Sequence, residues 1–130
     1  MAIRNFEMQE NRKFSIIDRI KSFKYAFDGL RLFFVTEHNA KIHLVAAIFA
    51  VALAFYLQIS AFEWIAVLGV ISAVFVAELI NSAIEKLADV VSPEIHPKIK
   101  IVKDLAAAAV LISACLALIV GGIVFLPKLF

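Results

Sequence analysis

The chain is poor in charge, in cysteine and in the residues that punctuate helices. Asp, Glu, Lys and Arg make up 18% of its 130 residues, against about 25% in an ordinary soluble domain. The lone Cys115 excludes an internal disulfide framework. A formal net charge of +2 is too small to argue for nucleic acid, so no nucleic-acid partner is expected. The four glycines, Gly29, Gly69, Gly121 and Gly122, fit neither GxGxxG nor GxxxxGK, so the phosphate loops of soluble nucleotide-binding proteins are absent. What fills the chain instead is apolar. Hydrophobic residues reach 63% and the mean hydropathy is +0.94, where soluble domains have about 45–50% apolar residues. That excludes disorder and a water-soluble globular domain, and implies a small integral membrane protein.

The apolar residues fall into long runs. A helix needs roughly 20 mostly apolar residues to cross the hydrocarbon core. Ile42 to Phe62 carries no Asp, Glu, Lys or Arg; Trp64 to Ile84 carries only Glu78; Leu105 to Leu126 carries none and stops at Pro127. None sits where a cleavable signal peptide would. The expected fold class is all-α: an N-terminal amphipathic surface helix over about 15–36, then three transmembrane helices over about 42–62, 64–88 and 105–126. Residues 1–14 are polar and expected to be a flexible N-terminus ahead of a single membrane domain, 15–130. The surface helix is read from Ile16, Ile20, Phe23, Phe27, Leu30 and Phe34, which recur at steps of three and four, with Asp18, Arg19, Lys21, Asp28 and Arg31 largely opposite.

Of the 13 Lys and Arg residues, all but Lys128 lie before the first span or between the second and third, and the turn expected between the first two spans, around Gln58 to Glu63, holds none. The positive-inside rule therefore predicts a cytoplasmic N-terminus and an outside C-terminus. Tyr56, Phe62 and Trp64 then fall at the outer interface, where an aromatic belt is expected. Ser92-Pro93 and His96-Pro97 mark the cytoplasmic connection as a loop. Cys115 reads as a small packing residue and Gly121-Gly122 as a close helix approach.

The informative stretch is Ala77 to Asp89, AELINSAIEKLAD. At 3.6 residues per turn, Glu78, Glu85 and Asp89 lie within about 40° of one another, with Asn81 and Ser82 beside that line. Glu78 is the deepest, and a carboxylate inside a span costs a few kcal/mol, which makes function the default reading over a polar packing pair. A second cluster, Glu37, His38, Asn39, Lys41 and His43, precedes the first span, and Lys103-Asp104 opens the third from the same side. Two carboxylates with phosphate oxygens and water suit Mg²⁺, and a lysine can meet phosphate charge. Glu37, Glu85, Lys103 and Asp104 could thus gather at the cytoplasmic interface, where a phosphorylated cofactor meets a lipid. Three helices enclose little interior, so a homo-oligomer with sites between protomers is expected.

The stretches GLRLFFVTEHNAKIH (Gly29 to His43), AELINSAIEKLADVVSPEIHPKIK (Ala77 to Lys100) and KDLAAAAVL (Lys103 to Leu111) resemble the prokaryotic diacylglycerol kinase family, which includes the undecaprenol kinases of Gram-positive bacteria. The resemblance runs over essentially the whole chain after Ser15 and implies a three-span homotrimer of the bacterial inner (cytoplasmic) membrane, with sites shared between protomers. Its activity would be transfer of the γ-phosphate of ATP, with Mg²⁺, to a membrane lipid hydroxyl. Position by position, the resemblance implies Glu78 as catalytic base and Glu37 and Glu85 as metal carboxylates. Tyr25, Glu37, Glu85, Glu94, His96, Lys103 and Asp104 would serve ATP, with Asn81, Ser82 and Asp89 supporting. Arg19, Arg31 and His43 would lie on the substrate side. Two positions depart from the enterobacterial branch: His43 stands where that branch has Glu, as in the Gram-positive-like branch, and Asp18 where it has Arg. Diacylglycerol is the leading acceptor and undecaprenol the alternative. A small ion-coupled transporter would leave Lys103-Asp104 and the surface helix without a task. A non-enzymatic assembly subunit would have no use for so many carboxylates at one depth.

Overall fold

Residues 15–130 are described by a computed structural model, and they form four α-helices with no strand among them. The flexible stretch expected over residues 1–14 lies outside the described residues. The helices are α1 (Ile16–Thr36), α2 (His38–Tyr56), α3 (Ala61–Val91) and α4 (Pro97–Leu129). The last three are long and apolar enough to cross a membrane. The chain divides into two units, α1 up to Val35 and the residues from Thr36 to Phe130.

α1 begins after Ser15, whose hydroxyl accepts the Asp18 N–H at 3.3 Å, so a polar side chain satisfies one of the donors that open the helix. Along α1 nearly every side chain is exposed, Phe33 being the buried exception, and the Phe33 and Phe34 rings meet edge to face at 5.1 Å.

In the second unit, the uncharged run from Ile42 to Phe62 proves to contain a turn. α2 starts earlier, at His38, and ends at Tyr56. Beyond it Gln58 takes a left-handed conformation (φ 49°). Its N–H donates to the Phe55 carbonyl and that of Ile59 to Ala54, at 3.3 and 3.2 Å. This pair of bonds is a Schellman motif, and its usual hydrophobic contact is present, since Ile59 and Ala54 are both buried in the core cluster. Ser60 then opens α3 through a capping box. Its hydroxyl accepts the Glu63 N–H, and the Glu63 carboxylate accepts the Ser60 N–H at 2.6 Å. The turn falls within the expected Gln58 to Glu63, while α2 ends at Tyr56 rather than running on to Phe62.

α3 has 31 residues and α4 has 33, about 46 and 50 Å at 1.5 Å per residue. Both exceed the roughly 30 Å hydrocarbon core, so each can carry polar turns beyond it. At the α3–α4 connection His96 caps α4, its Nδ1 accepting the Lys98 N–H at 3.2 Å, and Pro97 takes the first helical position, where a missing N–H costs nothing. α4 continues through Pro127 to Leu129. Pro127 sits in the last turn, and the helical bond from Phe130 N–H to the Leu126 carbonyl still forms past it.

α3 and α4 pack along each other far more extensively than α2 and α3 do. The core cluster, Ala54, Ile59, Val67 and Val124, lies at the α2–α3 turn, with Trp64, Ile71 and Phe125 against it. Trp64 also meets the Phe55 ring at 4.8 Å. Glu63 and Lys128 close that end with an ion pair of 3.2 Å. Elsewhere most large apolar side chains are exposed, and only 6% of the apolar window of α4 is buried. Cys115 is among the exposed residues rather than a packing residue within the chain. A methyl group added at Gly121 or Gly122 would meet only side chains of α4 itself, at 3.9 and 3.8 Å, so no second helix of the chain approaches closely there.

Candidate active site

The buried face of α3 changes character along its length. Near the α2–α3 turn it presents Val67 and Val74; further along it presents Glu78, Asn81 and Ser82, before returning to Ala88. Steps of three, four and seven keep these residues on one helical face. Glu78 is 2% exposed and Asn81 and Ser82 are 7% exposed, while Glu85 is half-buried and Asp89 exposed. The polar stripe therefore runs from the interior outward.

Each polar group has a distinct partner. Across from α2, His43 Nε2 lies 3.2 Å from Glu78 Oε1. Which of the two donates depends on the imidazole tautomer and on the carboxyl proton; to a carboxylate, which can only accept, the imidazole is the donor. Asn81 Nδ2 donates to Glu85 Oε1 at 3.3 Å. That bond fixes the amide orientation, since the reverse would set carbonyl oxygen against carboxylate. The Asn81 Oδ1 atom is buried without a hydrogen-bond partner among the described residues. A buried acceptor left open in this way costs about 1–3 kcal/mol, which marks it as a place for an incoming donor.

Glu37 stands just ahead of α2 in extended conformation and pairs with Lys86 of α3. The Lys86 ammonium holds the Glu37 carboxyl below its ordinary pKa; partial burial opposes this and the Thr36 hydroxyl, bonded at 3.1 Å, reinforces it. Further out, Lys103 bonds Asp89 at 3.0 Å and also feels the charge of Glu85. Lys100 pairs with Asp104 at 2.6 Å. Asp89, Glu94, His96, Lys100, Lys103 and Asp104 all line one polar pocket of about 440 Å³ at the α3–α4 connection. An apolar groove of about 470 Å³ runs between α2, α3 and α4, from Phe125 and Leu126 to His43. Small residues, among them Ala46, Ala50, Ala117, Gly121 and Gly122, alternate in its walls with Val, Ile, Leu and Phe side chains. The second unit thus has a greasy groove lined at one end by the histidine that meets the buried carboxylate, and a pocket with cationic and anionic walls. Tyr25, Arg19 and Arg31 lie on α1 and are exposed.

A family model for prokaryotic diacylglycerol kinase matches residues 24–125. The chain belongs to the prokaryotic diacylglycerol kinase family. Similar proteins include an undecaprenol kinase of Bacillus subtilis, 38% identical over 84% of this chain and 89% of its own length. A diacylglycerol kinase of Synechocystis is 40% identical over 83% of this chain, which spans 62% of that protein's length. The diacylglycerol kinase of Escherichia coli K12 is 33% identical over 77% of this chain and 82% of its own. The protein is therefore a membrane lipid kinase. Of the candidate site residues, only Arg19 precedes the stretch that the family model covers.

A kinase moves phosphate, and its usual companion is a hard divalent cation. Among the described residues no group of three or more His, Cys, Asp or Glu side chains could hold a metal. Mg²⁺ does not need one: it is commonly held by one or two carboxylates plus phosphates and water. Glu37 is engaged by Lys86 and Glu85 by Asn81, so at each carboxylate an ion would have to displace a partner already there.

Two residues of this region carry no signal at the level of motifs. Lys86 reads as a charge that orients the chain, and only folding brings it to Glu37. Lys100 stands four residues before Asp104, a helical ion-pair spacing that the sequence does contain.

Proposed function

We propose that this kinase transfers the γ-phosphate of ATP to the hydroxyl of diacylglycerol, giving phosphatidic acid and ADP. The observation that carries the reading is Glu78, a buried carboxylate in contact with His43, which lines the apolar groove, and on the same helical face as the open Asn81 acceptor. The lipid tail would occupy the groove and bring its hydroxyl to Glu78. Glu78 takes the hydroxyl proton, the lipid oxygen forms its bond to the γ-phosphorus, and the bond to the bridging oxygen of ADP breaks, that oxygen keeping the electron pair. The proton then passes from Glu78 to water. Asn81 and Ser82 orient the reacting groups, and phosphoryl transfer asks mainly for such positioning and charge neutralisation.

Tyr25, Glu94, His96, Lys103 and Asp104 would bind the nucleotide, Lys103 through phosphate charge, with Asp89 holding the lysine until ATP arrives. Mg²⁺, held by Glu37 and Glu85 with the phosphates, would neutralise charge on the transferred group. Arg19, Arg31 and His43 would face the lipid. The outward apolar faces of the helices support assembly as a homotrimer with sites shared between protomers. Charge distribution supports the bacterial cytoplasmic membrane with the N-terminus in the cytoplasm and the C-terminus outside.

Undecaprenol is the second acceptor to consider, favoured by His43 and by the likeness to the Bacillus enzyme. An apolar groove separates acyl from prenyl tails weakly, by about 1–3 kcal/mol per well-placed contact. Phosphate transfer from labelled ATP with Mg²⁺ in mixed micelles, offering the two lipids in parallel, tests the reading. Transfer to diacylglycerol at the faster rate, lost in Glu78→Gln with assembly intact, is expected. Faster transfer to undecaprenol would replace the acceptor, and no transfer to either lipid would refute the proposal.

A further inference from the structure

A base that accepts a proton from a bound alcohol must hold one carboxylate oxygen toward it, and a glutamate side chain has three rotatable bonds by which to miss. Glu78 lies on α3 with only 2% of its surface exposed, so water does not fix it. Its own helix offers little. Asn81, one turn away, spends its NH₂ group on Glu85 at 3.3 Å. The contact comes instead from α2, where His43 Nε2 stands 3.2 Å from Glu78 Oε1. His43 also lines the apolar groove, so the imidazole links the groove to the carboxylate behind it.

We infer that His43 is a positioning residue for Glu78: its Nε2–H fixes Oε1 and leaves Oε2 to take the proton of the acceptor hydroxyl. The inference rests on Glu78 being the base, as proposed above. The imidazole suits this task because Nε2 carries a hydrogen in the neutral tautomer required here and in the cation alike. Around His43 on α2, Ala40 is fully buried and Ala47 half-buried, neither with a polar side chain, and Asn39, the polar residue one turn before it, is exposed. Removing the imidazole therefore leaves a buried carboxylate free to turn away from the groove.

Three variants and one spectrum test this. His43→Ala should lower kcat roughly ten- to hundredfold, the loss expected for a hydrogen bond to a charged group. The KM for ATP should stay unchanged. His43→Gln, whose amide N–H can reach the same oxygen, should recover most of the rate. In ¹⁵N-histidine-labelled protein, the Nε2 resonance of His43 should move in Glu78→Gln. Wild-type kcat in His43→Ala, equal loss in the Ala and Gln variants, or an unmoved resonance would each overturn the inference. A wild-type protein that phosphorylates neither lipid would defeat the parent reading instead, and the Nε2 resonance would then decide the His43–Glu78 contact alone.

Discussion

Lys86 pairs with Glu37, one of the two carboxylates proposed above to hold the metal, so on that proposal removing its charge should tighten metal binding. Lys86→Met keeps the apolar stem and deletes the ammonium that pairs with Glu37. The pair is only partly sheltered, with side chains 54% and 23% exposed. It therefore belongs with surface ion pairs worth about 0.2–1 kcal/mol. A divalent ion competing for Glu37 must displace the ammonium. Its dissociation constant should thus fall about 1.4- to 5-fold in Lys86→Met, at 1.36 kcal/mol per tenfold. Mn²⁺, a paramagnetic stand-in for Mg²⁺, can be titrated into the nucleotide-free protein in lipid nanodiscs and followed by electron paramagnetic resonance. Lys98→Met serves as the control for losing a positive charge in the same connection. The pH dependence has a definite sign. Lys86 lowers the pKa of Glu37, so the pair is complete at and above the ordinary carboxylate range and is lost as pH falls through the lowered value. Lys86→Met should raise the Glu37 midpoint, measured by ¹³C carboxyl titration, and the gain in Mn²⁺ affinity should be full at neutral pH. An Mn²⁺ affinity no tighter than that of Lys98→Met would refute the competition.

Two further outcomes follow from other parts of the bundle. Ser60→Ala removes the hydroxyl of the capping box and should cost about 0.5–2 kcal/mol in reversible unfolding, with kcat unchanged; unaltered stability would count against the cap. Gly122→Leu has room for its Cβ, which would meet only Leu126 at 3.8 Å, but its side chain enters the groove. It should raise the KM for the lipid severalfold and leave the KM for ATP alone, and an unchanged lipid KM would show that the acceptor lies elsewhere.

Much of the architecture was legible because membranes impose a strong rule. A backbone in lipid must satisfy its own hydrogen bonds, so long apolar runs become helices. The turn around Gln58 to Glu63 was legible, but the span ends were less so, since hydropathy is blind to the Schellman turn at Gln58 and to the capping box of Ser60 and Glu63. The motif S-x-x-E over Ser60 to Glu63 carries that information when read as a cap. Gly121-Gly122 misleads in the other direction: the pair suggests a close helix approach but lines an open groove.

Composition and helical spacing by themselves determined that the chain is an all-helical membrane protein, and that Glu78, Asn81, Ser82 and Glu85 share one face of one helix. Those are local properties, fixed by a repeat of 3.6 residues and by the cost of charge in hydrocarbon. Tertiary structure decided the rest: that His43 from α2 meets Glu78, that Lys86 lies on Glu37, that Lys103 holds Asp89, and that Asn81 keeps an acceptor open. The first three join residues 35, 49 and 14 positions apart, and the last depends on everything packed around one amide. No spacing rule along a single helix reaches those distances, because they are set by how α2, α3 and α4 pack against one another.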